Sequence, residues 1–441
     1  MKTLSSFAAR AVLLASVTFI SFPAIAATSP APLRFAFGTE QPKAGTTLVS
    51  PDGTFTRERG FGFEEGATLS ANARSVTSDK PFYFSVRVPE EGNYRVTVTL
   101  GDAQGESETT IKAELRRLMV EKIHTAPGKF ETVSFVVNTR TPKIAVAGDM
   151  KPGEVRLKAP RETTQEAWAW DDAITLEFNN AHPAVSAIEI TKVDLPTIFI
   201  IGDSTVCDQS REPFNSWGQM LTRFIKSDIA VANHGESGET YRDSIGRRRL
   251  DKMLSVMKPG DFMLMQFGHN DQKQIAAGNG GPFTTYKEEI KKHVDAVRAH
   301  GGIPIIVSPM ERRTSTPPLS DYAEASRQAA HDLATAFIDL NAMSLPFYAA
   351  LEAHGAEYSR KAFAGQDDTH HNNYGSYELA KCIVQSIRVQ QLPLAKFIVD
   401  DFKGFDPARP DPVESFAIPP SSLVTNQRPL GDDAAVPPAT K

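Results

Sequence analysis

The stretch Phe199–Asp208, FIIGDSTVCD, runs an apolar segment straight into a glycine, an acid and two hydroxyl side chains. A strand that ends this way presents its first polar side chain at the carboxyl edge of a sheet, where open α/β folds bind ligands. The pattern then repeats downstream as strand–helix pairs: TIFIIGD with WGQMLTRFIK, IAVANHG with a helix from about Tyr241, and DFMLMQFG with YKEEIKKHVDAVRAHG. IPIIVSP with DYAEASRQAAHDLATA, and FIDLN with YGSYELAKCIVQSIRVQQ, complete the series. Strands without polar alternation are covered on both faces, so residues 197–401 are expected to form an α/β three-layer sandwich around a parallel sheet.

Upstream the texture is β. In FYFSVRVPEEGNYRVTVTLGD, Phe82, Phe84, Val86 and Val88 alternate with polar residues; alternation resumes at Tyr94, Val96 and Val98, which predicts a hairpin about PEEGN. KFETVSFVVNT, EVRLKA, AITLEF and SAIEITKV read as further short strands, and TTIKAELRRLMVEKI as two strands with a bend. Residues 27–192 are therefore expected to be an all-β sandwich of jelly-roll type, joined by a short hinge at 193–196. Residues 402–441 are rich in proline and aperiodic; they read as a tail that wraps the body and frays after about Leu423.

A chain of 441 residues, 41% hydrophobic and 23% charged, is expected to hold two globular domains. Residues 1–26 have Lys2 and Arg10, an apolar stretch at Ala11–Ile20 and a small-x-small site at Ala24–Ala26, the pattern of a secretory signal peptide. Its removal takes the net charge from −5 to −7, because two cations and no acid leave. With no basic arm or stripe, nucleic acid is not an expected partner, nor is a membrane after cleavage. The expected location is secreted or periplasmic. Cys207 and Cys382 could there form a bridge or remain two buried thiols.

The polar clusters of the second domain fall at strand ends: Gly202-Asp203-Ser204, NHGESGET (Asn233–Thr240), GHND (Gly268–Asp271) and GQDDTHHNNYG (Gly365–Gly375). Acyl transfer by a serine needs a histidine base steadied by a carboxylate, and preset donors for the oxyanion. DDTHH supplies acid and imidazole three residues apart, as Asp367 with His370 or Asp368 with His371. Oxyanion candidates are the backbone N–H groups of Ser204 and Gly238 and the side-chain amide of Asn270. Ser204 taken alone reads more readily as a helix cap than as a nucleophile, and Asp203 reads as an Asx turn. HGESGE lacks the second glycine of a nucleophile elbow, so Ser237 is a loop serine. No third ligand accompanies the adjacent histidines at recognisable spacing, so neither metal nor cofactor is expected.

In order, GDST, a later glycine, GHND and D-x-x-H resemble the four blocks of the SGNH (GDSL-like) hydrolases. IFIIGDSTVCD, SWGQ, QFGHND and DDTHHNNYG are similar to the rhamnogalacturonan acetylesterase family within them, and the β region to a galactose-binding-like domain. The resemblance implies a flavodoxin-like fold and a Ser204–His370–Asp367 triad, with Ser204, Gly238 and Asn270 as oxyanion donors. It also implies removal of acetyl groups from pectic rhamnogalacturonan. Glu239 and Thr240 stand where members often have a basic residue and a serine, an acidic departure that bears on a uronate-containing substrate. Arg312 and Arg313 in SPMERRTS are either a carboxylate-binding fork or a solvated pair. Trp168 and Trp170 in EAWAWDD are either a sugar platform or one core and one surface residue. Other readings are an acetyl esterase on xylan or another glycan, a non-catalytic carbohydrate-binding protein, and a lipolytic or thioester hydrolase. Oligomeric state is not legible.

Overall fold

The computed structural model describes residues 31–429, apart from 147, 149, 274–276, 279 and 426; the expected signal peptide and the end of the tail lie outside the described residues. Five strands form the parallel sheet: β1 (Thr197–Gly202), β2 (Ala230–Asn233), β3 (Phe262–Gln266), β4 (Ile303–Val307) and β5 (Ala336–Ile338). Their order is β2-β1-β3-β4-β5, the flavodoxin-like order, in which the chain reverses direction across the sheet between β1 and β3.

The helices that cover this sheet are α1 (Trp217–Leu221), α2 (Tyr241–Gly246), α3 (Arg249–Val256), α4 (Lys287–Ala299), α5 (Ser320–Asp332), α6 (Leu340–Glu352) and α7 (Asn373–Val389). Side chains of β1 divide by parity. Ile198 and Ile200 join Trp217, Phe347, Leu379 and Ile383 on one face. Phe199 and Ile201 join Tyr241, Met253, Val294 and Ala325 on the other. Both faces being dry explains the unbroken apolar runs.

Helix α6 is absent from the sequence reading. Pro346 lies inside it, which reads as a breaker, and its residues are largely apolar with little periodicity. The available signal was Asp339, whose side chain caps the helix by accepting from Ala342 N.

The β region is built on a sandwich of two main sheets, whose strands pair antiparallel except for Leu33–Phe37 with Thr47–Val49, which is parallel; Lys143–Ile144 and Gly153–Glu154 form a separate two-stranded ladder. TTIKAELRRLMVEKI does form two strands, Ser107–Ala113 and Arg117–Thr125. The hairpin expectation is corrected. Phe82–Arg87 and Gly92–Leu100 lie in different sheets, so PEEGN crosses the sandwich. Phe82, Phe84, Tyr94, Val96 and Val98 enter the same core from opposite sides; alternation fixes which face is buried, not which strand is the neighbour. In EVRLKA only Glu154 is in a strand, paired with Lys143. The chain then forms a π-helical turn at Arg161–Gln165 and a 3₁₀ turn at Ala167–Trp170, so Trp168 and Trp170 are not strand residues. Trp170 is buried and donates from Nε1 to Glu162 Oε1 at 3.0 Å, whereas Trp168 is half-buried against Tyr83.

Described tail residues are held against the body, and the contacts continue past Leu423. Lys112 Nζ donates to Pro419 O and Ser421 Oγ, both at 2.8 Å. Val424 pairs with Glu212 in a parallel bridge, in which Thr425 N donates to Glu212 O at 2.7 Å. Among the described residues no helix is long and apolar enough to cross a membrane.

Candidate active site

Because β1 lies between β2 and β3, the loops after all three meet at one crevice. Gly202 closes β1 where a Cβ would come within 2.4 Å of Gln266 O, so the turn into Ser204 needs glycine. Asp203 makes the expected Asx turn: Oδ1 accepts from Thr205 N at 3.0 Å and from Thr205 Oγ1 at 2.8 Å. Its second oxygen lies 3.2 Å from His269 Nδ1, a partner that sequence reasoning missed.

Ser204 Oγ lies 2.9 Å from His370 Nε2, and His370 Nδ1 lies 2.8 Å from Asp367 Oδ2. The residues come from opposite ends of the sequence of the α/β region, yet serine and histidine are each only 1% exposed. Asp367 Oδ1 accepts from the backbone N–H groups of Thr369 (2.7 Å) and His370 (3.0 Å), which fixes the plane of the carboxylate. The edge of Phe214 packs against the imidazole, with ring centres 5.7 Å apart.

Arg428, from the tail, also reaches Asp367: Nε to Oδ2 at 2.6 Å and Nη2 to Oδ1 at 3.2 Å. Burial acts to raise the Asp367 pKa. The hydrogen bond and charge of His370, then Arg428, outweigh it, so the carboxyl is held well below the usual carboxylate range. His371 is differently employed. It shares a 2.8 Å hydrogen bond with the Tyr348 hydroxyl, and burial, with the charges of His370 and His269, pushes it down to about 3.

The block-two loop is pinned to β1 by Glu236 N donating to Gly202 O at 2.9 Å, and Gly238 takes φ +73°, a conformation that disfavours a Cβ. Asn270 Nδ2 donates to Glu239 O at 3.2 Å, while Lys273 Nζ donates to Asn270 Oδ1 at 3.0 Å. The lysine therefore fixes the amide's orientation and leaves Nδ2 as its donor end. Ser237 is a loop serine held from the β region: Arg161 Nη2 donates to its Oγ at 2.7 Å, and Lys158 Nζ to its carbonyl. Arg161 also pairs with Glu166 at 2.6 Å and Glu236 at 3.5 Å. Sequence reasoning assigned neither cation, since isolated charges normally read as solvated.

Glu239 is fully buried and turned toward Arg249 Nε at 2.9 Å, with Arg247 and Lys158 further out. Its carboxylate is thus spent on an internal ion pair. Cys207 and Cys382 are both free and buried, so the bridge does not form. Cys207 Sγ lies 3.4 Å from Ser237 Oγ, and burial raises its thiol pKa.

A cavity of about 870 Å³ opens beside the triad, lined by Phe214, His269, Lys273, Arg312, Asp367 and Arg428 among others. Arg312 reaches it while donating to Gln272 Oε1 (3.0 Å) and Pro317 O (2.7 Å). Arg313 is not among the residues lining this cavity: it is drawn to Asp368 at 2.6 Å and Glu352 at 3.6 Å, so the two arginines do not face it together. Among the described residues no group of three His, Cys, Asp or Glu side chains is arranged to hold a metal ion.

Residues 200–376 match the model of the GDSL-like lipase/acylhydrolase family. The chain is 29% identical over 223 residues to rhamnogalacturonan acetylesterase RhgT of Bacillus subtilis (strain 168), covering 46% of this chain and 94% of the relative. Uncharacterized esterase YxiM of the same organism is 25% identical over 410 residues, covering 86% and 96% of the two chains. The crystal structure of YxiM covers 82% of this chain and 99% of its own, at 23% identity and a TM-score of 0.44.

Proposed function

We propose, from the premise that residues 200–376 are a GDSL-like lipase/acylhydrolase domain and the protein a carboxylic ester hydrolase, that it deacetylates polysaccharides of the pectic rhamnogalacturonan class by a Ser-His-Asp mechanism. The observation that carries the mechanism is the continuous chain Ser204 Oγ–His370–Asp367, with links of 2.9 and 2.8 Å.

Ser204 Oγ attacks the acetyl carbonyl while His370 Nε2 takes the serine proton. The Asp367 carboxylate stabilises the imidazolium and keeps Nδ1 protonated. The negative charge on the former carbonyl oxygen is received by the N–H groups of Ser204 and Gly238 and by Asn270 Nδ2. Collapse expels the sugar oxygen, which takes the proton from His370. Water then attacks the acetyl-serine, giving its proton to His370, and acetate leaves as the proton returns to Ser204.

Substrate class rests on two supports. The relative RhgT bears the name rhamnogalacturonan acetylesterase, and the cavity is lined by Lys273 and Arg312, cations suited to a uronate-bearing chain. Glu239 no longer opposes this reading, because its carboxylate faces Arg249. A polysaccharide substrate is outside the cell in keeping with the signal-like residues 1–26.

The test is acetate release from acetylated pectic and xylan substrates by the wild type and by Ser204→Ala. Release from the pectic backbone that vanishes in the variant is the expected result. Undiminished turnover by Ser204→Ala removes the mechanism, and equal rates on xylan remove the uronate-specific part.

A further inference from the structure

Asp367 is already provided for without the tail. Two backbone N–H groups occupy Oδ1, and His370 Nδ1 occupies Oδ2. Arg428 adds a cation across both oxygens and shares Oδ2 with the imidazole, at 2.6 Å against 2.8 Å. An acceptor oxygen shared with a guanidinium has less negative charge to offer an imidazolium. Arg428 therefore opposes protonation of His370 while holding its partner in place.

Delivery of this arginine is a property of the whole fold. Lys112 fixes Pro419 and Ser421, Glu177 Oε2 accepts from Ser421 Oγ at 2.6 Å, and Asn179 Nδ2 donates to Pro420 O at 2.9 Å. The Glu212–Val424 bridge then aims the chain at the active site. From Thr425, three residues reach at most about 10 Å, so the anchored strand confines where Arg428 can be. Thr425 and Arg428 together form part of the cavity wall.

Other charges surround the pair. Asp368 and His371 lie on its own loop, Asp203 follows β1, His269 and Lys273 follow β3, and Arg312 and Arg313 follow β4. Beyond Phe214 stand Glu212 and Arg116. Several are matched among themselves: Arg313 with Asp368 at 2.6 Å, Arg116 with Glu212 at 2.5 Å, and His269 with Asp203 at 3.2 Å. Lys273 is bonded to Asn270, and Arg312 to Gln272 and Pro317. Arg428 is the cation placed directly on the carboxylate of the base.

We infer that the C-terminal tail supplies Arg428 as a positioning residue, which fixes Asp367 and keeps His370 unprotonated, and so competent as a base, to lower pH than a plain triad would allow. This rests on the Ser-His-Asp reading above, yet it can be read without turnover. The measurement is an NMR titration of the His370 imidazole in the wild type, Arg428→Gln and Arg428→Lys, each made in the Ser204→Ala background, with kcat/KM against pH for the same tail variants with Ser204 intact.

In Arg428→Gln the His370 midpoint rises by about 0.5–1 pH unit, an order-of-magnitude allowance for a partly exposed cation. The acid limb of kcat/KM moves up with it. Arg428→Lys, which keeps the charge and loses the fork, restores most of the shift. Deleting residues 426–441 beyond the Thr425 anchor reproduces Arg428→Gln and keeps the inference testable if the point variant folds poorly. A midpoint that stays in place or falls in both the point variant and the deletion overturns the inference. Turnover surviving Ser204→Ala overturns the mechanism instead.

Discussion

Replacing Asp367 by Asn is the sharpest perturbation of this site, because the structure dictates which way the amide must face. Oδ1 accepts from two backbone N–H groups, at 2.7 and 3.0 Å, and from Arg428 Nη2. The asparagine oxygen therefore stays there. Its NH₂ group then faces His370 Nδ1 and Arg428 Nε, both donors in the wild type. Two outcomes follow together: His370 must present a lone pair at Nδ1, and its proton moves to Nε2, where it points at Ser204 Oγ. In that tautomer the imidazole cannot accept the serine proton. A tautomer inversion of this type costs about 10⁴ in kcat, or about 5.4 kcal/mol of barrier. Initial rates on p-nitrophenyl acetate, with acetate release from acetylated pectin, measure it. Thermal melting of the same preparations separates lost chemistry from lost fold. A folded Asp367→Asn enzyme within tenfold of the wild type would refute the reasoning, since the base would then be working without its carboxylate.

Gly238→Ala places a Cβ at φ +73°, costing roughly 1–2 kcal/mol and displacing a donor; kcat is expected to fall more than tenfold while KM changes little. Arg161→Met strips the partner from the buried Glu166 and Glu236 carboxylates; urea unfolding should show a loss of about 3–5 kcal/mol, and a loss below 1 kcal/mol would contradict the clamp. Burial raises the Asp171 carboxyl to about 7, against a hydrogen bond from Ala173 N. The native state keeps a proton that the unfolded chain has released, so stability falls as pH rises from about 4 to 7 by on the order of 3 kcal/mol. Asp171→Asn should flatten that slope. A thiol reagent should find no fast-reacting group in the native protein and two after denaturation without reductant, matching the two free cysteines; none after denaturation would indicate a bridge.

The parallel sheet was legible because burial on both faces leaves its mark on every residue of a strand: Ile198, Phe199, Ile200 and Ile201 are all buried, two toward each helical layer. Ser204 could be picked out for a related reason, since it interrupts an apolar run at the end of β1; Asp367 and His370 do not follow a strand but lie on the loop before α7, where their three-residue spacing was the signal. Pairing was less legible. The alternation of Phe82–Val88 and Tyr94–Val98 is satisfied equally by a hairpin and by two facing sheets. Charges were least legible of all. Nothing local distinguishes Arg428, in an aperiodic tail, or Arg161 from a solvated cation, and Arg313 had the same neighbourhood in sequence as Arg312. Their roles depend on carboxylates that the fold brings to them: Asp367 for Arg428, Glu236 beside the neighbouring Glu166 for Arg161, and Asp368 for Arg313.

Those distant partners bear on what the β region is for. Arg116 donates to the carbonyls of Gln209 (3.1 Å) and Phe214 (2.8 Å), and Arg117 pairs with Asp208 at 2.7 Å, all on the chain that follows Ser204. Arg161 and Lys158 hold Ser237, next to Gly238. Lys112, Glu177 and Asn179 anchor the segment that delivers Arg428. The chain after Ser204, the loop before Gly238 and the tail thus each have a restraint that originates in the β region, and most of these restraints are buried ion pairs or charged hydrogen bonds, whose removal leaves an uncompensated charge. A sandwich that only tethered the enzyme to a glycan would need none of them. Bracing is therefore the role that these contacts support, with the corollary that the α/β region expressed alone would carry exposed Asp208 and Glu212 and a loosened loop around Gly238.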